Sequence, residues 1–166
     1  IQEVVRCLGA ARIPHRVVDP VMIATSGATL LKPSAIRALC DRLLPRATVV
    51  TPNAPEAEVL TGCPLRTESD LHKAACIIQS RWGCAAVVKG GHIKGDRVMD
   101  IVGIGGTTYT LVSRRVTARE THGTGCTFSA ALTAFLARGL PLLEAAREAK
   151  RFVQAALAQA RPAGRH

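Results

Sequence analysis

Three short apolar runs, each separated from the next by a stretch with helical spacing, constrain this chain more than any other feature. They are Arg16–Val21, Ala47–Thr51 and Ala85–Lys89. None alternates polar with apolar, so each reads as a strand buried on both faces. Between the first two, Ser34–Leu44 sets Ile36, Leu39, Leu43 and Leu44 at helical spacing, and Pro45 ends it. Between the second and third, Asn53 is placed to cap a short helix over Ala54–Leu60 that Gly62 closes. Thr67-Glu68-Ser69-Asp70 then fits a capping box before a helix running to Trp82, stopped by Gly83. Strands alternating with helices need crossover connections. They predict an α/β fold with a mostly parallel sheet covered by helices on both faces.

The flanks complete one domain. Gln2–Ala11 reads as a helix with Val4, Val5 and Leu8 on one face. Arg97–Val102 and Thr107–Val112 flank Gly103, Gly105 and Gly106, a hairpin pattern extended by Arg115–Thr117. Thr124–Ala137 and Leu142–Ala160 read as two closing helices parted by Gly139 and Pro141, and 161–166 as a loose tail. The chain has 166 residues, 48% of them hydrophobic, which is one domain with enough apolar surface for a core.

Composition narrows the function classes. The net charge of +10 would suit nucleic acid or an anionic substrate. The arginines are dispersed, however, and aromatics make up only 3%, too few for a base-stacking surface. An arginine-rich solvated surface is the expectation. The six cysteines form no C-x-x-C pair and no zinc-finger spacing. They are expected as free thiols, several in apolar surroundings, in a reducing cytoplasm. No stretch reaches the ~18 apolar residues of a membrane span. The first residue is Ile1 rather than Met, so the chain reads as processed, truncated or cut from something longer.

The sharpest chemical feature is His122-Gly123-Thr124-Gly125-Cys126 at the start of an apolar helix. Two glycines let backbone approach a ligand, and the helix start offers free N–H groups and a positive dipole end to an anion. Cys126 falls on the first turn, where a thiol pKa is expected to drop, making it a candidate base or nucleophile; a buried structural cysteine is the other reading. Asp19 ends the first strand, where ligands of parallel sheets gather, and could hold Mg²⁺ or a substrate hydroxyl; capping a turn is its plainer role. Asn53 and Glu56 are explained by a helix cap alone, yet Asp19, Asn53, Glu56 and Lys89 all fall at strand ends that one crevice could collect. Lys89 would supply a point charge for phosphate, or snorkel off the sheet rim. Gly103-Ile104-Gly105-Gly106 hints at a dinucleotide loop, but a strand-type run follows it, so a hairpin turn is expected.

These segments resemble a known family. Val18-Asp19-Pro20-Val21-Met22-Ile23-Ala24-Thr25-Ser26-Gly27, Thr51-Pro52-Asn53-Ala54-Pro55-Glu56-Ala57-Glu58, Val88-Lys89-Gly90-Gly91-His92 and Thr121-His122-Gly123-Thr124-Gly125-Cys126-Thr127-Phe128-Ser129-Ala130 are similar, in order, to four blocks of the hydroxymethylpyrimidine/phosphomethylpyrimidine kinases. The resemblance implies a ribokinase-like fold and transfer of the ATP γ-phosphoryl group to a small pyrimidine, with ATP and Mg²⁺ as cofactors and no nucleic-acid or membrane partner. It implies an anion hole from Gly123, Thr124 and Gly125, with Cys126 at the catalytic-base position. It also implies Mg²⁺ and phosphate contacts from Asp19, Thr51, Asn53 and Glu56, and nucleotide contacts from Lys89 and His122. The family carries a further N-terminal segment with most of the pyrimidine contacts and pairs as a homodimer. Residues 1–160 therefore match its ATP-binding C-terminal part, with the N-terminal portion missing, and low activity is expected of this chain alone. Pyridoxal kinases share the D-P-V-M and T-P-N motifs, and a non-catalytic regulatory remnant is the reading from another class.

Overall fold

The computed structural model describes residues 1–10, 13–23, 28–93, 95–116 and 123–159. Helix α1 (Gln2–Ala10) leads to strand β1 (Val17–Val18). Helix α2 (Pro33–Ala38) runs on through a π-helical turn, Leu39–Leu43, and a 3-10 turn, Leu44–Arg46, into β2 (Val49–Val50). Next come α3 (Ala54–Thr61), α4 (Glu68–Trp82), β3 (Ala85–Lys89), the hairpin of β4 (Arg97–Ile104) and β5 (Thr107–Arg114), and the closing helices α5 (Thr124–Ala137) and α6 (Leu142–Ala158).

The five strands lie side by side in chain order. β1, β2 and β3 are parallel, with Val17 opposite Val49 and Val49 opposite Ala85. β4 and β5 add an antiparallel half, so the sheet is mixed, with the crossover connections confined to its first three strands. Successive side chains point to opposite faces, and the core divides accordingly. Val50, Ala86, Val88 and Ile101 pack with Leu71, Ala75 and Ile78 of α4 and with Ala57 and Leu60 of α3. Val49, Val87, Val102 and Leu111 pack with Phe128, Leu132 and Leu136 of α5 and with Ala145, Ala146 and Ala149 of α6. Helices thus cover both faces, as the run of unbroken apolar strands requires.

The differences from the expected elements have tertiary causes. The run Arg16–Val21 pairs only over Val17–Val18, because Val21 N–H turns back to the Asp19 carbonyl (2.9 Å). The hairpin strands are longer than expected. Gly103 lies inside β4, where a Cβ would stand 2.5 Å from the Gln79 side chain and 3.3 Å from Ala75. Gly105 (φ 57°) and Gly106 (φ 83°) make the tight two-residue turn, which rules out the dinucleotide-loop reading. Pro45 does not end a continuous α-helix; it sits within the 3-10 turn that brings Leu44 into the core. Only Cys84 among the cysteines is buried, and burial pushes its thiol up to about 11. Cys84 lies in the core and Cys40 packs against it, while Cys7, Cys63, Cys76 and Cys126 are exposed. Positions 117 and 160–166, in the expected strand extension and tail, lie outside the described residues.

Among the described residues, β1 pairs only with β2, so its other edge is open. Beside it lies a groove of about 410 Å³ lined by Val4, Leu8, Ile13, Val17, Val18 and Leu43 among others. No helix among the described residues is long and apolar enough to cross a membrane.

Candidate active site at the carboxyl ends of the parallel strands

Each of the three parallel strands delivers one polar side chain at its carboxyl end. Asp19 follows β1, Thr51 follows β2, and Lys89 closes β3. Lys89 Nζ lies 3.2 Å from Asp19 Oδ1, and both side chains are largely withdrawn from solvent. Lys89 is therefore a site cation and does not snorkel off the rim. Thr51 Oγ1 donates to Asp19 Oδ1 (3.2 Å) and stands 2.8 Å from Ser129 Oγ of α5. Ser129 Oγ also donates to the Gly125 carbonyl (3.1 Å), so the two hydroxyl protons of Thr51 and Ser129 are shared among Asp19, the Gly125 carbonyl and each other. Thr51 is fully buried, and its hydroxyl contacts Asp19 and Ser129.

α5 completes the cluster from the other side. Gly123 caps it with φ 80°, a left-handed conformation that glycine adopts without Cβ strain. Its carbonyl accepts the N–H and the hydroxyl of Thr127, both at 2.9 Å, which starts the helix and leaves the amides of the first turn pointing outward. Gly125 is close to Lys89: a Cβ there would be 3.1 Å from Nζ. Glycine at this position lets the ammonium lie against the helix start.

Cys126 sits on that first turn, exposed, and its thiol lies within the electrostatic reach of Asp19, Lys89 and Glu56. Its pKa is raised and not lowered. The partial shielding by the surrounding groups is the largest cause and the Asp19 charge the next, while Lys89 opposes both. The expected drop at a helix start is not seen, because shielding from solvent, and after it the Asp19 charge, favour the neutral thiol. The resting group is a thiol.

Asn53 and Glu56 form a reciprocal capping box at the start of α3. Asn53 Oδ1 accepts from Glu56 N (2.9 Å) and Glu56 Oε2 accepts from Asn53 N (2.8 Å). Asn53 is thereby explained as a cap. Glu56 does more than cap. It is buried, burial raises its pKa above the usual carboxylate value, and it feels both Lys89 and Asp19. Asn53 also bridges to Lys89 through the backbone, with Lys89 N donating to Pro52 O (2.8 Å), which ties the cap to the end of β3. His122 lies outside the described residues, as do 24–27 and 121 of the matching blocks. Sequence reading missed Ser129; its place four residues after Gly125, on the same helix face, was the available signal.

No group of three or more His, Cys, Asp or Glu side chains that could hold a metal occurs among the described residues. Asp19 and Glu56 are two nearby carboxylates, and the Asp19 charge is one cause of the raised Glu56 pKa, after burial. That donor set fits Mg²⁺, which takes one or two carboxylates and completes its shell with water and substrate phosphates.

The mixed α/β sheet covered by helices, with Asp19, Lys89 and the glycine-capped start of α5 at the carboxyl ends of its parallel strands, has the ribokinase-like fold of the solved pyridoxal kinases it superposes on. Within that fold the chain belongs to the phosphomethylpyrimidine kinase family, whose model matches residues 1–166. A hydroxymethylpyrimidine/phosphomethylpyrimidine kinase of Rhizobium meliloti (strain 1021) is 47% identical over 145 residues, 87% of this chain and 54% of that protein. The thiamine biosynthesis bifunctional protein ThiED of Geobacter sulfurreducens is 44% identical over 149 residues, 90% of this chain and 30% of that protein. The structure of a pyridoxal kinase from Staphylococcus aureus in complex with AMP-PCP and pyridoxal superposes with a TM-score of 0.86 at 38% identity, covering 95% of this chain and 56% of that one. The chain thus spans about half, or less, of the length of these proteins.

Proposed function

We propose that this chain is the nucleotide-binding part of a kinase that uses ATP to phosphorylate 4-amino-5-hydroxymethyl-2-methylpyrimidine and its monophosphate in thiamine biosynthesis. Residues 1–160 form that part. The observation that carries the reading is the meeting of Asp19, Lys89 and Cys126 at the glycine-capped start of α5. A cation and outward-facing amides hold phosphate there, with a proton-handling group beside them.

In this reading the backbone N–H groups at Gly125 and its neighbours, with Lys89, hold the transferring phosphoryl group. Thr51 and Ser129 fix the carboxylate of Asp19, and Asp19 with Glu56 faces the metal side of the phosphates. Mg²⁺, when bound with ATP, supplies neutralisation of phosphate charge. Sγ of Cys126, once its own proton has passed to solvent, takes the proton leaving the acceptor hydroxyl, and Lys89 is the neighbour that favours this thiolate. Asn53 contributes indirectly, by holding Glu56 in place. The family's complete enzymes supply the acceptor pocket from residues beyond these, and a cytoplasmic homodimer is the form in which we place it.

The test is ATP- and Mg²⁺-dependent phosphorylation of hydroxymethylpyrimidine by the complete protein. No product would sink the reading. Pyridoxal is the nearest rival acceptor, because the staphylococcal structure is that of a pyridoxal kinase. Specificity ratios on the two alcohols, measured side by side, decide between them.

A further inference from the structure

Directly behind the site lies a buried ion pair that the mechanism above does not use. Asp100 of β4 and Lys150 of α6 are 6% and 7% exposed. Lys150 Nζ donates to Asp100 Oδ2 at 2.6 Å and to the Val98 carbonyl at 3.2 Å. The other carboxylate oxygen, Oδ1, accepts the backbone N–H of Gly90 at 2.9 Å. Asp100 is also the residue directly opposite Lys89 in the β3–β4 register. Gly90 crosses so near to β4 that a Cβ would lie 2.0 Å from the Met99 carbonyl. The carboxylate thus anchors the peptide unit that follows the site lysine, and α6 holds the carboxylate.

A buried pair of this kind is a poor source of stability, since desolvation offsets most of the attraction. Its two hydrogen-bonding directions explain it better: one oxygen for the helix, the other for the end of β3.

We propose that the Asp100–Lys150 pair is a positioning device that sets where Lys89 stands in the phosphate site. This rests on the kinase reading, in which Lys89 contacts the nucleotide. The pair touches no substrate; it acts through the Gly90 amide. Losing that anchor frees the strand end and lets Lys89 drift from Asp19 and from the start of α5. ATP affinity falls and acceptor affinity does not.

Two double substitutions in the complete protein isolate the anchor. D100N/K150M removes the ion pair but keeps an oxygen for Gly90. D100L/K150M removes both. Calorimetry with ATP and Mg²⁺ is expected to give wild-type affinity within about twofold for the first and about tenfold weaker binding for the second, the size of one hydrogen bond. Hydroxymethylpyrimidine affinity is expected to be equal in all three proteins. A merely structural pair would lower the melting temperature in both variants without separating their ATP affinities. Equal ATP binding by both variants therefore overturns the positioning role, while the kinase reading stands. A wild-type protein that binds no ATP overturns both. Should D100L/K150M not fold, D100S/K150M gives the same comparison, because a serine hydroxyl stops short of Gly90.

Discussion

Asp19 is the residue on which the site turns. It accepts from Thr51 and Lys89 and it meets the thiol of Cys126. Its carboxylate is one cause of that thiol's raised pKa, so alkylation of Cys126 by iodoacetamide is expected to be slow at pH 7 and to rise only above pH 9, the ordinary thiol value. D19N removes the charge while keeping the shape. The midpoint of the rate–pH profile should then move down, and an unmoved midpoint would show that the carboxylate does not govern the thiol. Phosphoryl transfer by the complete protein should fall on the order of a hundredfold in the same variant, the scale of one misplaced electrostatic group. Glu56 gives a second residue-scale test. Burial raises its carboxyl pKa above 4.5, so between 4.5 and that higher value the folded chain binds more protons than the unfolded one. Its contribution to stability is full below that window and is lost as pH rises through it. E56Q does not titrate and keeps an oxygen for the Asn53 amide. Thermal melts should show the difference between E56Q and wild type shifting in favour of the variant from pH 4.5 to pH 7.5; a shift the other way would exclude a buried, costly carboxylate.

At the scale of elements, the caps make the clearest prediction. N53A opens the capping box of α3 and should cost about 1 kcal/mol in urea denaturation. It should also weaken Mg²⁺-dependent activity, because Glu56 is held by the same box. This cap, the Thr67 box of α4 and the glycine stops Gly62 and Gly83 were legible in the sequence because each is made by neighbours within a few residues. The strand of Ala85–Lys89 was legible too, since an unbroken apolar run flanked by glycines has few alternatives. What was not legible is whatever distant residues decide. Arg16–Val21 looked like a full strand, but only Val17–Val18 find partners, fixed by β2 thirty residues on. The π-helical turn after α2 follows from how Leu39, Leu43 and Leu44 reach the core, which no local pattern reports. Of the candidate site, the meeting of Asp19 and Lys89 followed from their places at strand ends, and Cys126 was legible only as a first-turn residue of α5. The direction of the Cys126 shift was not, because it depends on how far the folded chain shields the thiol and on the Asp19 carboxylate, more than a hundred residues away in sequence. The Asp100–Lys150 pair joins residues of two elements that carry no motif, so nothing short of the fold could reveal it.

For the molecule as a whole, the edge of β1 that is unpaired among the described residues, with its apolar groove, is the dominant fact. An unpaired edge beside apolar side chains recruits another chain. The 166-residue chain by itself is therefore expected to associate in a concentration-dependent way in sedimentation experiments. I13K, at a position already 40% exposed on the groove's rim, should shift it toward monomer. A wild-type chain that sediments as a monomer at every concentration would contradict this. The order of the strands has its own consequence. Each strand lies next to the one before it, so none of the five has to be inserted between two that are already in place. As the ribosome releases them, each can dock on the margin left by its predecessor, and the sheet can grow in one direction during synthesis. The corner proposed to hold phosphate must wait longer, because Ser129 and Gly125 emerge only after all five strands. Among residues 1–166, the proposed site thus takes shape after the sheet that supports it.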